Sequence, residues 1–434
     1  MLHASAFNDD SSNRDEWTKA TRATLTTKDD TKYIIWARED TSKKDAECFH
    51  NTLLATVGNK SEVETLVTEQ NTPYAWLADL TPAQLGKVRA DGVVDRVEPD
   101  EQLRLEGHSP AAANRKRANV QRRPNIGKPL VDLRMLSTPP QTPLLDYYEY
   151  DDSAGEGITI YMIDTGPFDF EHSELQPMDS SITRENIDAV DRSSLVNAGS
   201  FHGTCVVSKA VGNTVGVARR ANLVTVRIDV TPGKFHFIKA WQLVREDIMR
   251  KGLRGKAVVS SSVAFPMVKD KEVRRRTLYE LQKVLQSLFE MDVPVICAAG
   301  NSADKPNGSM EPNSLPAVLA VRLPLIVVGS AAVDGSMSKF SQRGPLLTTW
   351  AVGEQVQCAR RNTKEGLMTA EGTSVAAPQI AGLAAYFMSH PRFRLRLRAG
   401  TVAKDMQSLI RSYSHLRARS IRYPPIAWNG NGRP

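Results

Sequence analysis

The chain lacks the marks of several protein classes. Four cysteines in 434 residues, Cys48, Cys205, Cys297 and Cys358, are too few and too scattered for a disulfide framework. No Cys-x-x-Cys pair or His/Cys cluster has zinc spacing, so no metal site is expected. Nor is a membrane span expected: the most apolar stretch, 315–333, is broken by Pro316, Arg322 and Pro324 and reads as two strands. The first 25 residues hold no charged start followed by an apolar core, so no secretory signal is visible in them. No internal repeat is present.

What is present is an asymmetry of charge under a net of +7. Residues 1–101 hold 12 Lys+Arg and 19 Asp+Glu, net −7, and residues 392–434 hold 10 Lys+Arg and 1 Asp, net +9. An acidic front and a basic tail suggest separate modules, not one nucleic-acid-binding surface, so no nucleic acid partner is expected. Residues 1–29 are polar and read as a disordered lead. Residues 30–101 read as a small α+β unit, with strands at 33–37, 74–78 and 93–100 and helices at 41–57 and from Thr81-Pro82 to Gly92. Strand, helix, strand, helix, strand is a ferredoxin-like pattern. Residues 102–147 form a Pro-rich linker with basic clusters at Arg115-Lys116-Arg117 and Arg122-Arg123, a candidate processing site. Residues 392–434 form a basic extension that reads as a solvated arm.

Residues 148–391 alternate apolar strands and helices. Strands are expected at 158–163, 224–228, 257–262, 293–299 and 325–330, and helices at 237–251 and 275–291. This alternation specifies an α/β domain with a mostly parallel sheet.

Three short motifs in this domain carry chemistry. Asp164-Thr165-Gly166 ends an apolar strand, where functional groups of open α/β sheets collect. His202-Gly203-Thr204 opens a small-residue segment, placing His202 in the first turn of a helix. Gly372-Thr373-Ser374-Val375-Ala376-Ala377-Pro378 puts Ser374 at the N-terminus of an Ala/Gly-rich helix, whose end favours a developing oxyanion. A carboxylate can hold an imidazole in one tautomer, and the imidazole can then take the proton of a hydroxyl that attacks a carbonyl. The order acid, base, nucleophile is one of three in which this triad occurs. An esterase-type elbow would need Gly-x-Ser-x-Gly and the order Ser, Asp, His; both are missing.

With these flanks and this order the chain resembles the subtilisin-like serine proteases, the subtilases, of fungal type. The likeness covers about residues 148–390 well and 32–101 more loosely. It implies a three-layer α/β domain with a mostly parallel sheet, preceded by a small α+β ferredoxin-like propeptide. It implies catalytic roles for Asp164, His202 and Ser374. Asn301, at the end of Ala298-Ala299-Gly300-Asn301, is then an oxyanion donor beside the Ser374 N–H. The string 77–101 resembles a subtilase propeptide, which assists folding and acts as an intramolecular inhibitor. Substrates would be proteins or peptides and no cofactor would be required. A structural calcium is compatible with the family, but Asp169, Glu171 and Glu174 lack the spacing of a cation loop. The family resemblance points to an extracellular protein, although no leader is visible.

Subtilases bind substrate as an added strand against an Asn-x-Ser-x-Gly edge. The matching segment is Ser260-Ser261-Ser262-Val263-Ala264-Phe265, with Ser260 in place of Asn and Ala264 in place of Gly. Ser262, Val263, Ala264, Ala298 and Gly300 are the expected substrate-binding residues. The two departures leave an alternative: an inactive relative that binds peptides or proteins. Cys205 shares a helix face with His202, three residues apart, and reads either as a thiol beside the imidazole or as a small buried filler.

Overall fold

The computed structural model describes residues 32–58, 63–68, 70–100, 130–190, 201–229, 233–267, 270–418, 420 and 422–431. The lead 1–29 and the basic clusters at 115–117 and 122–123 lie outside the described residues. Two compact units are present, one holding the described residues up to 100 and the other those from 130 on.

The first unit runs β1 (Lys32–Ala37), α1 (Lys43–Val57), β2 (Glu64–Val67), β3 (Pro73–Asp79), α2 (Pro82–Arg89), β4 (Val94–Pro99). Its antiparallel sheet has the order β2-β3-β1-β4. This βαββαβ connectivity is that of the ferredoxin-like split βαβ. The helix starts are set locally. Ser42 caps α1 by accepting from the Asp45 N–H, and Thr81 and Gln84 form a reciprocal capping box with Pro82 in the first turn. One face of the sheet is sealed by α1, with Phe49 edge-on to Trp76 at 4.6 Å between ring centroids. Strand β2 is absent from the sequence reading because it is four residues long and buries only Leu66.

The second unit is built on a nine-stranded sheet. Its elements are α3 (Val131–Ser137), β5 (Thr159–Thr165), β6 (Arg184–Asp188), α4 (His202–Val211), β7 (Asn222–Ile228), α5 (Lys234–Arg250), β8 (Ala257–Ser261), β9 (Phe265–Pro266), α6 (Lys271–Glu290), β10 (Val295–Ala298), β11 (Ser314–Leu315), β12 (Ile326–Ala331), β13 (Thr349–Val352), β14 (Val356–Ala359), β15 (Leu367–Ala370), α7 (Thr373–Ser389), α8 (Pro391–Arg394), α9 (Val402–Ser412), β16 (Ser414–Leu416) and β17 (Pro425–Ala427). The sheet order is β16-β17-β13-β12-β10-β8-β5-β7-β6, and only the β16–β17 pair is antiparallel. Alternate residues of β5 enter opposite cores: Ile160 and Met162 face α4 and α7, while Tyr161 and Ile163 face α5 and α6. Burial on both faces explains the unbroken apolar run of this strand. The result is the expected three-layer α/β arrangement.

Two expectations are corrected. Residues 130–147 are not all linker, because α3 forms between Pro129 and Pro139 and packs into the core through Leu133 and Leu136. Its Asp132 carboxylate meets the Lys209 ammonium of α4 at 2.6 Å, both side chains being essentially inaccessible. The tail is not a solvated arm either. Val402, Ala403, Met406, Leu409 and Ile410 of α9 repeat at helical spacing and are buried, and β17 joins the main sheet beside β13. A charge census counts the exposed arginines and misses that buried stripe. Arg417, Trp428 and Asn429 of the tail bond the carbonyls of Met135, Leu136, Ser137 and Thr138, so the tail caps the C-terminal end of α3.

Candidate active site

Asp164 is the penultimate residue of β5 and wholly buried. Its Oδ1 accepts from the Thr165 N–H at 2.6 Å and lies 2.6 Å from His202 Nδ1. A carboxylate can only accept here, so Nδ1 carries the proton and Nε2 presents a lone pair. His202 is the first residue of α4. The helix comes this close to the end of β5 because Gly203 follows: a Cβ there would collide with the Thr165 carbonyl and the Phe168 ring.

Ser374 is the second residue of α7 and is buried, and its Oγ has no hydrogen-bond partner among the described residues. Pro378 lies inside the helix four residues on and has no N–H, so the Ser374 carbonyl loses its helical donor. The Ser262 hydroxyl replaces it, donating to that carbonyl at 2.8 Å. Ser262 thus follows directly on β8 and is tied to the backbone of Ser374.

Asn301 is also buried, and its Oδ1 accepts from both the N–H and the hydroxyl of Thr373, each at 2.9 Å. These bonds fix which end of the amide is the oxygen and leave Nδ2 as its donor end. Thr373 Oγ1 also accepts from the Gly300 N–H at 3.1 Å. Gly300 has φ +111°, and a Cβ there would strike the Gln342 side-chain amide. The end of β5, the turn after β10 and the starts of α4 and α7 therefore supply all four expected functional side chains. The structure joins them in two groups, Asp164 with His202 and Asn301 with Thr373-Ser374.

The first two residues of the motif segment 260–265 lie inside the main sheet. Ser260 and Ser261 pair with β5 on one side and β10 on the other, so neither is open to a further strand. Ser262, Val263 and Ala264 lie past the last residue of β8, with Val263 buried and Ala264 half-buried. Ala298 ends β10, and Ala298 and Gly300 are half-buried.

Sequence reasoning missed Thr373 as the group that orients Asn301, although Gly-Thr-Ser was in view. It also left Cys205 as either a thiol beside the imidazole or a small buried filler, and gave it no partner. Cys205 and Cys358 form a disulfide, so no free thiol stands beside the imidazole. A pair 153 residues apart is invisible to a spacing rule. Cys297 is free and buried in β10, and burial pushes its thiol up to about 12. Asp169 accepts from the Asn362 N–H and Glu174 from the N–H groups of Thr214 and Val215, so both carboxylates brace loops. Among the described residues no group of three His, Cys, Asp or Glu could hold a metal ion.

Comparison with known proteins points to one family. The chain is 32% identical over 250 residues to Subtilisin-like protease 1 of Trichophyton rubrum, covering 57% of this chain and 44% of that protein. It is 28% identical over 297 residues to Subtilisin-like protease 4 of Trichophyton tonsurans, covering 66% and 64%. The chain thus spans about half the length of the curated relatives it matches. The fold is similar to the crystal structure of a cold adapted subtilisin-like serine proteinase, with a TM-score of 0.54 and 23% identity over 70% of this chain and 98% of that one. Residues 155–412 match the Subtilase family, which takes in every element from β5 to α9, and the chain belongs to that family.

Proposed function

We propose that this chain is a serine endopeptidase that hydrolyses peptide bonds in proteins through Asp164, His202 and Ser374. The observation that carries the reading is the 2.6 Å bond between His202 Nδ1 and the buried Asp164 carboxylate, in a fold that starts the Ser374 helix beside Asn301. In this reaction the Ser374 hydroxyl attacks the scissile carbonyl and His202 Nε2 takes its proton. Asp164 stabilises the imidazolium so formed. The oxyanion receives the Ser374 N–H and Asn301 Nδ2, aligned by Thr373 and by the helix N-terminus. Collapse breaks the C–N bond, and His202 protonates the departing amine. Water then repeats the sequence on the acyl-enzyme and frees Ser374.

The substrate lies along Ser262–Ala264 and Ala298–Gly300, and the βαββαβ unit acts as propeptide and intramolecular inhibitor. The Cys205–Cys358 bond suits an oxidising, extracellular compartment. The test is casein hydrolysis by wild type and Ser374→Ala, with a p-nitrophenyl ester as second substrate. Casein cleavage that disappears in Ser374→Ala supports the reading. Ester cleavage alone, or equal casein cleavage by both proteins, overturns it.

A further inference from the structure

The disulfide joins two pieces of the molecule that the protease reading treats separately. Cys205 lies on α4, three residues after His202. Cys358 lies on β14 and pairs with Met368 of β15, six residues before Ser374. Strands β14 and β15 form a separate two-stranded sheet, outside the nine-stranded one, and lead directly into α7. No ladder of the main sheet fixes this hairpin. It is held instead to α4 and to the loop after β5. Ser208 Oγ accepts from the Ala359 N–H at 2.9 Å, and Lys209 Nζ donates to the Gln357 carbonyl at 3.2 Å. His172 Nε2 donates to the Gly366 carbonyl at 2.8 Å, and Asp169 Oδ2 accepts from the Asn362 N–H at 2.8 Å. The disulfide is the covalent member of this set, and both sulfurs are buried.

We infer that Cys205 and Cys358 are positioning residues for the hydrolytic reaction. Their bond fixes the helix that carries the base against the hairpin that delivers the nucleophile. A displacement of about 1 Å between reacting groups can cost about 10²-fold in rate, so a tether at this point sets turnover as well as stability. The inference rests on the protease reading.

The experiment compares wild type with Cys205→Ala/Cys358→Ala well below the melting temperature, with far-UV circular dichroism establishing the fold. The double variant is expected to lose about tenfold or more in kcat with KM nearly unchanged, because the tether acts on the geometry of the transition state. Phosphonylation of Ser374 by a phosphonyl fluoride should slow by a similar factor. A folded double variant with wild-type kcat overturns the inference and leaves the bond a staple only. A double variant that does not fold is replaced by reversible reduction of folded wild type. Dithiothreitol then gives up two electrons and two protons to become its cyclic disulfide, and Cys205 and Cys358 each become a thiol. Activity should fall as two additional thiols become titratable and return on reoxidation. Full activity with both extra thiols present overturns the inference. Wild type that stays inactive after removal of its propeptide overturns the protease reading itself, and this inference with it.

Discussion

Lys209 looks like a surface residue in the sequence Val207-Ser208-Lys209-Ala210, yet none of its side chain reaches solvent. Its ammonium lies 2.6 Å from Asp132 Oδ2 and donates to the carbonyls of Val215 at 2.7 Å and Gln357 at 3.2 Å. In Lys209→Met the Asp132 carboxylate stays buried without its counter-charge, a change that costs about 3–5 kcal/mol. At roughly 2.1 cal/mol/K per residue, a domain of about 300 residues loses about 1.6 °C for each kcal/mol. The expected fall is therefore about 5–8 °C. Asp132→Leu/Lys209→Met removes both charges and leaves an apolar pair of similar volume, so it should recover most of that loss. The assay is calorimetric melting at one fixed scan rate, in a Ser374→Ala background that silences self-digestion. A single variant within about 1 °C of its parent, or a double variant no better than the single, would refute the reasoning.

Two other perturbations have defined outcomes. Ser262→Ala removes the hydroxyl that replaces the missing Pro378 N–H at the Ser374 carbonyl, leaving a buried acceptor short at a cost of about 1–3 kcal/mol. kcat on a chromogenic peptide should fall, and Ser262→Thr, which keeps the hydroxyl, should restore more of it than Ser262→Val; equal kcat in Thr and Val variants contradicts the assignment. Burial would raise the Asp247 carboxyl, but bonds from Lys251, Tyr161 and Arg250 hold it below the ordinary range near 3.9. Its stabilisation is therefore complete above that range and is lost as pH falls through the lowered value. Asp247→Asn should flatten the acid limb of a plot of melting temperature against pH, and two parallel curves would contradict it.

The α/β class and the places of Asp164, His202, Asn301 and Ser374 at strand ends and helix starts were legible in the sequence, because both depend on local patterns. Burial on both faces of a parallel sheet leaves the unbroken run Ile158–Ile163, and close helix–strand packing demands small residues such as Gly203. What stayed hidden depends on distant partners. The Cys205–Cys358 pair spans 153 residues. The tail reads as basic until α9 turns Met406, Leu409 and Ile410 inward. The role of Ser262 toward Ser374 follows from Pro378 only once β8 and α7 are neighbours, although the proline itself was in plain view. Nor does the motif at 260–265 reveal by itself that Ser260 and Ser261 are flanked by strands on both sides.

The most direct measurement of the hydrolytic centre is covalent mapping with a phosphonyl fluoride. Wild type should lose activity in step with the incorporation of one phosphonyl group, located by peptide mass mapping on Ser374. His202→Ala should fold, show no casein hydrolysis and label far more slowly, since the hydroxyl then lacks its base. Full inactivation with Ser374 unmodified, or undiminished labelling of Ser374 in His202→Ala, would contradict a nucleophile at Ser374 served by His202.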